Sequence, residues 1–109
     1  MSSVKEINDD TFNDEVINYS GAVLVEFSAD WCGPCQRQLP ILEKFAEENP
    51  DRVKVCKVDV DECPQTVAKF AIRGVPSILL FHQGEKLGMK VGLTTTAALD
   101  NLLLEKVGK

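Results

Sequence analysis

Apolar residues in this chain follow two rhythms. In some stretches they are nearly continuous or alternate with polar ones, as in strands; in others they return every third or fourth position, as on a helix face. Residues 4–7 read as a short strand. Asp9-Asp10-Thr11-Phe12 then opens a helix whose early acids suit the positive end of its dipole, with Phe12, Val16 and Ile17 as its stripe and Gly21 as its end. Residues 22–28, AVLVEFS, form an almost unbroken apolar run, as expected of a strand covered on both faces. Leu39, Leu42, Phe45 and Ala46 mark the face of a long helix that carries a kinking Pro40 and closes at Asn49-Pro50. Residues 53–60 give a valine-rich strand, and Cys63-Pro64 starts a short helix through Phe70. After a break at Gly74-Val75-Pro76, residues 77–81 and 86–91 form a hairpin about Gln83-Gly84. Thr94-Thr95-Thr96 supplies an N-cap for a last helix faced by Leu99, Leu102 and Leu103. The order β-α-β-α-β-α-β-β-α predicts an α/β fold, a central mixed five-stranded sheet flanked by four helices and filling residues 1–109 as one domain.

Composition narrows the function. The chain has 109 residues, 44% hydrophobic and 27% charged, with a net charge of -5. An acidic surface argues against nucleic acid or an acidic membrane as partner. No basic segment with an apolar run opens the sequence, and no apolar run reaches membrane-spanning length, so the expectation is a soluble, cytoplasmic chain; a monomer is expected besides. In a reducing compartment the four cysteines are thiols unless their work is redox.

The candidate chemistry lies in ADWCGPCQR, residues 29–37. An apolar strand delivers Trp31 and Cys32 to the carboxyl edge of the sheet, where a helix begins and where open α/β sheets place their sites. Cys32 falls at the helix N-cap, where first-turn amides without helical partners favour thiolate over thiol. Cys35 lies one turn on, within reach and expected to be the more buried of the two. Cys32 would attack a substrate disulfide, and Cys35 would then resolve the mixed disulfide. Gly33 lets a partner backbone approach, and Pro34 fits the first helical turn while stiffening it. A structural disulfide does not suit a reducing compartment. Zinc would need Cys32, Cys35, Cys56 and Cys63 together, yet Cys56 is mid-strand and six residues separate it from Cys63.

WCGPC after an apolar strand, GVP about forty residues later and VG beyond it resemble the thioredoxin family over essentially the whole chain. The resemblance implies the thioredoxin fold and protein-disulfide reductase activity through a redox-active Cys32–Cys35 pair, with no cofactor. Its partners would be target proteins with disulfides and a thioredoxin reductase, flavin-containing or ferredoxin-linked. It also implies a cis Val75–Pro76 bond against the cysteines, with the Val75 backbone pairing to an incoming peptide. Oxidase or isomerase chemistry, and a scaffold role for the fold, are the competing readings.

Glu26 interrupts the apolar run and Lys57 sits among valines in the next strand. They are expected to meet beneath the helix start, where Glu26 takes the proton of Cys35 and Lys57 tunes its charge. The resemblance supports this role, although the family usually has Asp there; the plainer reading is a carboxylate reaching water at a strand end. Trp31, Gly33, Pro34, Val75, Pro76 and Gly92 are expected to form a flat docking patch, with Gly92 serving as a close-approach or a turn glycine. Ser77 stands where the family usually has Thr, and Gln36 where it often has a basic residue, with Arg37 following. Cys56 is read as core, Cys63 as a partly exposed or incidental thiol, and His82 as a surface residue.

Overall fold

All seven residues of β2 (Ala22–Ser28) are buried, as an unbroken apolar run requires of a strand with neighbours on both edges and packing on both faces. The computed structural model describes residues 3–109. Around β2 lie β1 (Lys5–Ile7), β3 (Lys54–Asp59), β4 (Ser77–His82) and β5 (Glu85–Val91), and the helices α1 (Gly33–Glu48), α2 (Pro64–Lys69) and α3 (Thr96–Lys106). The sheet order is β1-β3-β2-β4-β5, with β3 parallel to β1 and β2, and β4 antiparallel to β2 and β5. This is the mixed five-stranded sheet the periodicity implies.

Strand alternation sorts the core into two layers. Leu24, Val55, Ile78 and Leu80 pack with Leu42 and Phe45 of α1 and with Leu99 and Leu103 of α3. The residues between them, including Val25, Phe27, Val58, Leu79 and Phe81, join Phe12, Val16, Cys56 and Cys63 on the other face. There Phe12, Phe70 and Phe81 form a ring cluster with centroids 5.2 to 5.9 Å apart. Each fully buried Leu or Phe contributes about 2–3 kcal/mol.

The first helix differs from its sequence reading. It is a five-residue π-helical segment, Asn13–Ile17, rather than a helix from Asp9. Asn8 Oδ1 accepts from the amides of Asp10 and Thr11 and holds residues 8–11 in a turn. The Asp9 carboxylate serves another element: it accepts from the amides of Gln65 and Thr66 and from the Thr66 hydroxyl at the start of α2. The sequence reads Asp9 as an acid suited to the start of the helix that follows it, but the helix it caps is distant in sequence.

Two local features matter later. At the end of α2, Ala71 has φ 52°, and Ile72 N donates to Val67 O, a left-handed helix cap of the kind glycine favours. At the β4–β5 turn Gln83 and Gly84 both have positive φ, and a Cβ on Gly84 would lie 2.5 Å from Ile17 O. The hairpin tip therefore sits directly on the end of the π-helical segment.

Candidate active site

Cys32 ends the connection from β2 and is the N-cap of α1. Its backbone is extended, and its sulfur accepts from the Cys35 amide at 3.2 Å. Gly33 and Pro34 occupy the first turn, where the missing proline N–H costs no helical bond. The sulfurs of Cys32 and Cys35 are bonded, with Cα atoms 5.3 Å apart. One expectation needs correcting: Cys35 is not the more buried. Both residues are 5% exposed, because Val75 and Val60 cover the pair together with Ala29.

The Val75–Pro76 bond is cis, as the resemblance implied. Val75 O lies 3.6 Å from Cys32 Sγ. The Ser77 hydroxyl donates to Gly74 O and braces the segment from below. Gly92 N donates to Pro76 O at 2.8 Å. Gly92 has φ +89°, and nothing lies within 4 Å of where its Cβ would be, so the glycine answers a backbone need rather than an internal close approach.

Trp31 is a rim residue, 71% exposed, and its indole N–H donates to Asp61 Oδ2 at 2.9 Å. With Val60, Val67, Ile72, Arg73, Gly74 and Val75 it lines an open cavity of about 440 Å³ beside the disulfide. Gly33 has open space around it. Trp31, Gly33, Val75, Pro76 and Gly92 thus come to one end of the molecule, around the cysteines.

Glu26 and Lys57 are direct cross-strand partners between β2 and β3. Glu26 is 1% exposed, and neither carboxylate oxygen has a hydrogen-bond partner among the described residues. Burial pushes its carboxyl up to about 7, and the charge of Lys57 pulls the other way. The reading of Glu26 as a strand-end carboxylate reaching water is therefore wrong. Lys57 and Cys35 line one cavity of about 250 Å³, together with Ser28, Ala29, Asp30, Gln36 and Leu39. The Gln36 side chain donates to Asp30 O across its mouth.

Cys56 is fully buried in β3, and burial pushes its thiol up to about 11. Cys63 is 1% exposed at the N-cap of α2, which removes the partly exposed alternative and leaves the incidental one; burial raises its thiol too, as does the nearby Asp9 charge. No group of three or more His, Cys, Asp or Glu among the described residues is placed to hold a metal. Three contributors escaped the sequence reading. Asp61 anchors Trp31, while Gln38 and Thr94 are joined by two hydrogen bonds. The periodicity puts Leu39 in the stripe of α1, yet Gln38 is the fully buried residue and Leu39 only half-buried. Counting from Cys35 gives the true face, 35, 38, 42, 45, but an amide at 38 carries no apolar signal.

Comparison with known proteins points to one family. The family model for thioredoxin matches residues 3–105. The chain is 45% identical over 97 residues to a thioredoxin of Acidithiobacillus ferridurans, covering 89% of this chain and 90% of that one. It is 39% identical over 107 residues to a thioredoxin of Buchnera aphidicola subsp. Schizaphis graminum, covering 98% and 99%. It is also 37% identical over 103 residues to thioredoxin 1 of a Nostoc species, covering 94% and 96%.

Proposed function

This chain belongs to the thioredoxin family, and from that premise we propose how its site works. The activity is protein-disulfide reduction by dithiol–disulfide exchange through Cys32 and Cys35. Family members act through the cysteine pair without a cofactor. The observation that carries the mechanism is the Cys32 sulfur at the α1 N-cap, bonded to Cys35 and held by its amide.

In the reduced protein the amides of the first turn favour the Cys32 thiolate. That sulfur attacks one sulfur of a target disulfide. A mixed disulfide forms, and the other target sulfur leaves as a thiolate that takes a proton from solvent. Cys35 then loses its proton to Glu26 and attacks Cys32. The target's second thiolate leaves, two electrons have passed to the target, and the protein holds the Cys32–Cys35 disulfide. A carboxyl near 7 suits this proton transfer at neutral pH, and the charge of Lys57 limits how far burial raises it.

The target docks on Trp31, Gly33, Pro34, Val75, Pro76 and Gly92, with the Val75 backbone pairing to its chain as a short added strand. A thioredoxin reductase, flavin-containing or ferredoxin-linked, returns the electrons. The protein works as a cytoplasmic monomer of one domain. No helix among the described residues is long and apolar enough to cross a membrane.

Insulin reduction with dithiothreitol tests this reading. Wild type is expected to accelerate precipitation of the insulin B chain. Cys35→Ser is expected to lose turnover and to retain target proteins as mixed disulfides through Cys32. Full turnover by Cys35→Ser would rule out the resolving role of Cys35.

A further inference from the structure

Gln38 is a fully buried amide in the middle of a helix, an expensive place for a polar side chain unless both its ends are satisfied. Both ends are. Its Nε2 donates to Thr94 O at 2.9 Å, and the Thr94 amide donates to its Oε1 at 2.7 Å. The side chain thus pairs with the backbone of a residue 56 positions away as a neighbouring strand would. Thr94 is itself buried, 5% exposed, so without Gln38 these two backbone groups would be desolvated and unmet.

The pair belongs to a longer chain of bonds. The Thr94 hydroxyl donates to Gly92 O at 3.0 Å, and Gly92 N donates to Pro76 O at 2.8 Å. Val75, the residue before Pro76, has its carbonyl 3.6 Å from Cys32 Sγ. At the other end, Gln38 follows Cys35 by one turn of α1. The bonds therefore link the cysteine helix to the Gly92 segment and on to the cis-proline segment, the three pieces of backbone that surround the disulfide.

We propose that Gln38 is a positioning residue: it fixes the Gly92–Thr94 segment against α1 and so sets how tightly protein targets dock, while leaving the thiol chemistry of Cys32 and Cys35 unchanged. This rests on the docking role of Val75, Pro76 and Gly92 given above. The side-chain bonds of Gln38 run to the Thr94 backbone, so it acts on binding through Thr94 and Gly92.

The test is a split between target classes. In Gln38→Leu, KM for a protein disulfide such as insulin is expected to rise roughly tenfold, the consequence of leaving two buried backbone groups unpaired next to the docking segment. The rate with 5,5′-dithiobis(2-nitrobenzoate), a small disulfide that needs no added strand, is expected to stay at the wild-type value, as is the alkylation rate of Cys32. Gln38→Glu adds a pH signature, read only at pH values where urea denaturation shows the variant to be folded. Its protonated carboxyl can both donate to Thr94 O and accept from Thr94 N, whereas its carboxylate can only accept. Its KM for the protein target is therefore expected to approach wild type at acid pH and to rise with pH.

Unchanged KM in Gln38→Leu, or equal losses with insulin and with the small disulfide, would overturn the proposal. Should Gln38→Leu fail to fold, Thr94 amide exchange in the wild type decides: protection comparable to the sheet is expected, and rapid exchange refutes a fixed segment. Gly92→Asp separates the two readings. If it leaves KM for insulin unchanged, the docking surface itself is wrong, whatever Gln38 does.

Discussion

At the scale of single residues, Glu26 states its own pH dependence. Its carboxyl is raised from 4.5 to about 7 in the folded protein, and burial is the main cause. Between those values the folded chain holds a proton that the unfolded chain releases. Stability from this group is thus complete below about pH 4.5 and declines as pH rises to about 7, by about 3 kcal/mol in all. Glu26→Gln is expected to be more stable than wild type at pH 8, by up to that amount, and to gain little at pH 4.5; urea denaturation of the oxidised protein at both values checks it. The same variant is expected to slow target reduction near neutral pH. Normal rates across pH 6 to 9 would remove Glu26 from the proton transfer. The charge itself was legible, because an acid in AVLVEFS stands out among apolar neighbours. Gln38 was not, since an amide beside Leu39 on a helix looks like any solvent-facing residue. Only the fold shows that Thr94 waits opposite it.

At the scale of elements, the reading succeeded where the signal was local. β2 spans residues 22–28, the run that the sequence marks, and Thr95 caps α3 by accepting from the Ala98 amide. It failed where a cap crosses the sequence. Read locally, Asp9 belongs to the helix after it, yet it caps α2, which begins at Pro64. Hydrogen bonding to Thr66 holds the Asp9 carboxyl below its usual value, so its stabilising effect is present above about pH 3.8 and fades as pH falls below that. The far end of α2 is less well served. Ala71 holds the left-handed position of a cap whose two bonds, Ile72 to Val67 and Ala71 to Ala68, are both made. An alanine there crowds its own carbonyl, and glycine does not. Ala71→Gly is expected to stabilise the protein by about 1 kcal/mol, read as a higher urea midpoint at constant slope.

At the scale of the whole molecule, one end carries the chemistry and the rest holds it still. The cysteine pair was readable because nucleophile, turn and helix start are contiguous in sequence. The surface around it was readable only through resemblance, since residues 31, 75 and 92 meet through the sheet. The remaining thiols belong to the interior. Iodoacetamide is expected to label Cys32 of the reduced native protein rapidly, and Cys56 and Cys63 only after denaturant is added. Peptide mapping that found Cys63 labelled under native conditions would contradict its burial. A last consequence concerns the turn at Gln83-Gly84. A surface hairpin tip is where foreign sequence is commonly grafted. Here any side chain in place of the glycine would meet Ile17 O, at the end of the segment that the core residue Phe12 opens. An epitope spliced into this turn would wedge against the amino-terminal layer of the core, so the molecule has less room for a passenger there than the outline of the hairpin suggests.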